Sequence, residues 1–130
     1  MAVVDASVIV EFLRAGETAP TLDARLAAEE HALWAPHLID AEVGHALRRE
    51  VRLERMDADA AEAALWQLND LPVRRIEHAS LIHFAWDLRD NFSFYDALYV
   101  ALALMLEEPL LTFDARLART GVDLPIEVLS

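Results

Sequence analysis

The 130-residue sequence predicts an α/β fold: a parallel sheet covered on both faces by helices. Three observations lead there. Short β-like apolar runs such as AVV and LLT alternate with longer helical patterns. The five prolines (20, 36, 72, 109 and 125) all stand at the boundaries between those segments. No repeat, low-complexity tract or linker interrupts the alternation, so one domain over residues 1–130 is expected, a length that suits a single core.

Taken in order, residues 2–4 read as a short buried strand, and residues 7–15 as a helix with Ser7 as its N-cap. Residues 22–30 form a second helix and 32–35 a second strand. A long helix covers 38–55. Another covers 57–68 and carries a capping-box-like Asp59-x-x-Glu62. These two make a contiguous helical pair, an excursion from simple βα alternation, with Leu47, Val51, Leu65 and Leu68 lining the contact. The alanine-rich DADAAEAAL stretch suits close packing, in the core or at a dimer interface. Residues 73–76 read as a strand and 79–89 as helical. Residues 93–106 form an apolar buried helix, where Ser93-x-x-Asp96 resembles a capping box with Phe92 and Ala97 as its hydrophobic staple. Residues 110–112 are a strand, 115–119 a short helix, and 126–129 the last strand.

Composition narrows the class. Hydrophobic residues make up 55%, which argues against disorder. The longest apolar run, ALYVALALML, falls well short of the roughly 18 residues of a membrane span. The N-terminus lacks the basic segment of a signal peptide, and there are no cysteines, which excludes disulfides and thiolate metal sites. A cytoplasmic chain is expected. The net charge of −12 opposes non-specific nucleic-acid binding, and every basic residue is arginine.

Four acids define the candidate chemistry. Asp5 follows the first strand, Glu42 and Asp96 sit in the first turns of helices, and Asp114 follows the strand PLLTF. Each alone has an ordinary explanation: Asp5, Asp96 and Asp114 suit helix caps, and Glu42 suits the helix dipole. Their conjunction points further. In an open α/β sheet such junctions gather along one edge, where ligands bind. Acids converging there repel by roughly 4 kcal/mol per pair at about 4 Å. A divalent cation removes that cost, and hard oxygen ligands select Mg²⁺ or Mn²⁺.

Two α/β alternatives with acidic pockets fail on residue content. A phosphoryl-accepting receiver domain and a haloacid-dehalogenase-type phosphatase both need a lysine, and this chain has none. The phosphatase also needs DxD where this chain has Asp5-Ala-Ser7. Among the histidines (31, 37, 45, 78 and 83) no HxxxH or HxH pair occurs; His45, three residues after Glu42, shares its helix face. The aromatics Trp34, Trp66, Trp86, Phe12 and Phe84 read as core or interface.

The segments VVDASVIVEFL, PHLIDAEVGHALRR, FSFYDALYVALAL and LLTFDARLA, in that order and spacing, resemble the PIN-domain ribonuclease toxins of the VapC type. The resemblance runs over essentially the whole chain and implies a five-stranded parallel sheet flanked by helices. It places the family's acids on Asp5, Glu42, Asp96 and Asp114, and the hydroxyls that accompany them on Ser7 and Thr112. One departure is His45, where relatives often carry Asn in E-x-x-N-A-L.

The activity implied is metal-dependent hydrolysis of RNA phosphodiester bonds, with Mg²⁺ or Mn²⁺ as cofactor. Asp5 and Asp96 are expected as direct ligands. Asp114 is expected as a second-metal or water-mediated ligand, and Glu42 as a ligand or an orienter of the attacking water. For RNA binding, Arg116 is the leading phosphate-contact candidate, with Arg89 and Arg119 also near the acids. Arg48, Arg52 and Arg55 share one helix face with Arg49 beside it; ion pairing with Glu50, Glu54 or Asp87 is the alternative for such arginines. A small antitoxin partner and a homodimer are likewise implied. The competing reading is a non-catalytic protein-binding module on the same fold.

Overall fold

The computed structural model describes residues 1–15, 20–29, 32–119 and 123–130. Its centre is β1 (Ala2–Val4), whose three residues are all buried, as a strand covered on both faces must be. Around it stand β2 (Leu33–Pro36), β3 (Val73–Ile76), β4 (Leu110–Thr112) and β5 (Ile126–Val128) in the order β3-β2-β1-β4-β5. All four pairings are parallel; Val3 is in register with Trp34 on one side and Leu110 on the other. The chain builds β2 and β3 outward from one edge of β1, then crosses back to build β4 and β5 from the other. The switch point lies between the carboxyl ends of β1 and β4, the place where this topology opens a crevice.

Among the described residues, six α-helices cover the sheet: α1 (Ala6–Ala15), α2 (Pro20–Ala27), α3 (Leu38–Arg52), α4 (Ala58–Asp70), α5 (Ile82–Asp87) and α6 (Phe94–Leu106). Helix α6 packs on β1, β2 and β4, with α5 against it. Its residues from Ala97 to Ala103 are all buried, which explains an apolar sequence without a polar stripe. Helices α1, α3 and α4 pack on one another, and α1 also meets β4.

Several boundaries differ from the sequence expectation, each for a local reason. Helix α1 begins at Ala6, and its cap is Asp5 rather than Ser7: Oδ1 of Asp5 accepts the Val8 N–H at 3.2 Å. Helix α2 starts two residues early, because Pro20 suits a first helical position. Strand β2 is shifted by one residue and ends on Pro36. Helix α4 opens at Ala58 after Asp57, which makes no side-chain cap bond, so the Asp59-x-x-Glu62 box is not the cap. The segment expected as one helix over 79–89 divides into a 3-10 turn, His78–Ser80, and α5. Residues 30 and 31 lie outside the described residues, as does the Arg119 side chain.

Helix α3 stops at Arg52, not 55. Glu54 turns into the left-handed region (φ 57°), so that Glu54 N–H reaches the Val51 carbonyl and Arg55 N–H the Glu50 carbonyl. Helix α6 ends the same way on Glu107 (φ 55°). Both are Schellman caps in which glutamate occupies the position that favours glycine.

Helices α3 and α4 do pack together; of the four residues expected at the contact, Leu47 and Leu68 are buried, Val51 is half-buried, and Leu65 lies beside Gly44 but is exposed. Trp66, Trp86, Phe84 and Phe12 are exposed, so none of them is core. Trp34 is half-buried, under the Arg74 guanidinium.

Candidate active site

The site begins with Asp5, placed by the end of β1 at the switch point. It is only 9% exposed, yet among the described residues it has no ion-pair partner. Its oxygens are held by neutral donors instead. Oδ1 accepts from Ser7 Oγ at 2.5 Å and from Val8 N–H, and Oδ2 accepts from Thr112 Oγ1. Those hydroxyls are themselves fixed: Ser7 Oγ accepts the Phe113 N–H at 2.9 Å, and Thr112 Oγ1 accepts the Asp114 N–H at 2.9 Å. The carboxylate is thereby stitched between the ends of β1 and β4. Burial pushes its carboxyl up from the ordinary value, and the Ser7, Thr112 and backbone hydrogen bonds pull part of that back.

Glu42 comes from α3, which is anchored at its first turn. His78 Nε2 accepts the Leu38 N–H at 2.9 Å, satisfying a helix-end donor. Arg75 on β3 grips Asp40 through Nε at 2.9 and 2.8 Å. Glu42 Oε1 then accepts from the hydroxyl of Tyr99 at 2.6 Å, a buried tyrosine on α6. Burial raises the Glu42 carboxyl; the Tyr99 bond opposes this, and the Asp96 and Asp5 charges add to it. The Tyr99 hydroxyl is pushed upward by burial and by Glu42, so it stays a proton donor.

Asp96 stands in the first turn of α6, which Ser93 caps by accepting the Asp96 N–H at 3.1 Å. Burial raises its carboxyl and Ser93 lowers it; the Asp114 charge raises it again and the Arg116 charge opposes that. Asp114 differs from the other three. Arg116 clasps it through Nε at 3.0 and 3.2 Å and Nη2 at 2.7 Å, which holds its carboxyl below the usual range. The four acids therefore sense one another in a chain: Glu42 feels Asp96 and Asp5, and Asp96 feels Asp114.

A cleft of about 930 Å³ opens beside them, lined by Ser7, by Glu42, His45 and Arg49 of α3, and by Tyr95 and Arg116. A smaller recess of about 150 Å³ adjoins it at Ser93, Asp96, Asp114 and Arg116.

A model of the PIN domain matches residues 2–123. The chain belongs to the PIN-domain family. Among PIN proteins it is 49% identical over 127 residues to Ribonuclease VapC1 of Mycobacterium tuberculosis, covering 97% of this chain and 94% of that one. It is 40% identical over 130 residues to Ribonuclease VapC9 of the same organism, covering 99% and 98%. Two crystal structures share the architecture. That of M. tuberculosis VapC20, described as a sarcin-ricin loop cleaving toxin, superposes with a TM-score of 0.66 at 22% identity, covering 96% of this chain and 99% of that one. That of PAE2754 from Pyrobaculum aerophilum gives 0.69 at 25% identity, covering 98% and 83%. The PIN domain here is of the VapC ribonuclease type.

The donor set of this PIN domain is all oxygen, the chemistry of a hard divalent cation. Asp5, Glu42 and Asp96 form no salt bridge among the described residues, and of the three only Asp96 feels the Arg116 charge. Among the described residues, however, no three His, Asp or Glu side chains close into a ready cage. Glu42 is drawn to Tyr99 and Asp114 to Arg116. An open set of carboxylates suits Mg²⁺, which keeps several waters.

The arginines separate clearly. Arg116 lines both recesses, and Arg49 lines the larger one. Arg48 and Arg52 are exposed elsewhere on α3, and Arg55 approaches Glu50 at 3.8 Å. Arg89 lines neither recess; its guanidinium lies 4.8 Å from the Trp86 ring and donates to the Trp86 carbonyl. Sequence reasoning missed Tyr99, His78 and the Asp40–Arg75 pair. For Tyr99 a signal existed: a tyrosine three residues after Asp96 in an otherwise aliphatic buried helix needs a partner for its hydroxyl.

Proposed function

We propose that this chain is a metal-dependent endoribonuclease, the toxin of a type II toxin–antitoxin pair, that hydrolyses RNA phosphodiester bonds at the carboxylate cluster. One observation carries the reading: Asp5, Glu42 and Asp96 lie close enough to feel one another's charge, each partly desolvated, with no ion pair among the described residues and only the Arg116 charge acting on Asp96. A bound Mg²⁺ or Mn²⁺ supplies Lewis-acid activation of water and charge neutralisation at the phosphate. Asp5 and Asp96 would hold it directly. Ser7 and Thr112 would orient Asp5, whose Oδ2 accepts only from Thr112 and so keeps a lone pair for the cation. Glu42, steadied by Tyr99, would complete the ligand set or orient the attacking water. Asp114 would join through water or directly once Arg116 releases it, and Arg116 would then be available to a substrate phosphate. The Arg89 geometry does not favour a like role.

A small antitoxin with a basic segment is the partner that the uncompensated acids and the −12 charge favour electrostatically. Self-association has its own support: Ile82, Phe84 and Trp86 of α5 are exposed large hydrophobics close together in sequence. No helix among the described residues is long and apolar enough to cross a membrane, and a cytoplasmic location, where RNA is met, fits this activity.

The test is cleavage of cellular RNA by the purified chain, free of antitoxin, in Mg²⁺, Mn²⁺ or EDTA. Discrete metal-dependent cuts that vanish in Asp5→Asn and Asp96→Asn support the reading. Cuts that persist in both variants, or a folded wild type inert on total, transfer and ribosomal RNA, overturn it.

A further inference from the structure

Tyr95 is the residue that neither the fold nor the carboxylate cluster accounts for. It precedes Asp96 in the first turn of α6, where the Ser93 cap and buried Phe92 fix the backbone. Its ring is nevertheless 63% exposed and lines the 930 Å³ cleft that reaches Glu42. A rigidly mounted aromatic face left in water beside an anion-cleaving site has no packing role there.

The cations of the cleft are placed to match. Arg49 forms no ion pair among the described residues, in a chain whose net charge is −12. Arg116 uses Nε and Nη2 on Asp114 while its side chain stays 83% exposed, leaving other guanidinium N–H groups in solvent. One stands on the α3 wall, the other where the large cleft meets the small recess. Base faces stack on exposed aromatic rings whatever the base, while arginines track the backbone. Inside an A-form helix those faces are covered by neighbouring bases, so only an unpaired nucleotide offers one.

We propose that Tyr95 is a stacking platform for a nucleobase next to the scissile phosphate, with Arg49 and Arg116 holding phosphates on either side. This rests on the endoribonuclease reading and adds the residue that holds the base beside the cut. It also separates Tyr95 from buried Tyr99, whose hydroxyl serves Glu42.

The experiment is steady-state cleavage of one RNA sequence offered as an unpaired oligonucleotide. The enzymes are wild type, Tyr95→Ala, Tyr95→Phe and Tyr95→Trp, with melting curves to show that each is folded. Tyr95→Ala should lose roughly tenfold or more in kcat/KM on the unpaired strand, chiefly through KM, and Phe or Trp should restore it. A Tyr95→Ala enzyme with wild-type KM, or a Phe variant as poor as Ala, overturns the proposal while leaving the nuclease reading intact. A wild type that cleaves no RNA overturns both.

Discussion

At the scale of single residues, Asp5 sets the terms. A carboxylate this buried is tolerable only because Ser7, Thr112 and the Val8 N–H bond it from inside the protein. Groups that orient a metal ligand typically contribute 10–100-fold to affinity or activity. Thr112→Val is therefore expected to weaken Mn²⁺ binding and cleavage by about 10-fold or more, while Tyr99→Phe keeps the ring packing and loses about 10-fold through Glu42. Metal titration and kcat on the same variants check this; unchanged affinity in Thr112→Val would mean that the hydroxyl does not orient the ligand. Stability carries a second signature. Glu42 has a raised carboxyl in the folded state, so the stability it contributes is complete below its unfolded value and is lost as pH rises through the folded one. Glu42→Gln retains an oxygen for Tyr99 and removes the charge. In EDTA it should melt a few degrees higher than wild type at neutral pH, a gain of order 1 kcal/mol or less after solvent screening. The difference should close as pH falls below about 4, where Glu42 becomes protonated in both states. Asp114 has the opposite sign: Arg116 lowers its carboxyl, and the stability it contributes falls away as pH drops.

At the scale of elements, α3 and α6 are the two arms that bring Glu42 and Asp96 to the end of β1. Their starts are held by specific bonds, Leu38 N–H to His78 and Asp96 N–H to Ser93. Their ends carry strain. Glu54 and Glu107 both sit near φ +55°, where an L-residue costs about 1–2 kcal/mol. Glu107→Gly should stabilise the protein by about 1 kcal/mol, seen as a rise in Tm of about 3–5 °C. A fall in Tm would show that the glutamate side chain contributes more than its backbone costs. These caps were illegible in the sequence because glutamate is not a stop signal, which is why α3 was expected to run to 55. The acids were legible, because each falls where an apolar run gives way to a helix. What the local pattern could not contain were long-range partners: Tyr99 lies 57 residues from Glu42, and His78 lies 40 from Leu38. Arg49 was legible but overlooked: it stands seven residues after Glu42, on the same face of α3 as His45, and lines the cleft while Arg48 and Arg52 do not.

At the scale of the whole molecule, strand order decides where the chemistry goes. Five short strands in the order β3-β2-β1-β4-β5 put the only reversal between β1 and β4, and Asp5, Thr112 and Asp114 lie at that seam. The alternation of segments made this α/β plan legible; the order itself is a tertiary fact, fixed by α6 packing across β1, β2 and β4. The net charge of −12 opposes the compact state, and a cation bound only by the folded chain adds stability as RT ln(1 + [L]/Kd). Mn²⁺ at 100 times its Kd should therefore raise wild-type stability by about 2.7 kcal/mol, and leave Asp5→Asn close to its metal-free Tm.

Calorimetric titration of Mn²⁺ into wild type, Asp5→Asn and Asp96→Asn asks whether the carboxylates at the β1–β4 seam form a metal centre. Saturable binding is expected in the wild type, weakened at least about 10-fold by both substitutions. Binding absent from the folded wild type, or equal in all three proteins, would contradict a metal centre and leave the acids as a surface for a basic protein partner.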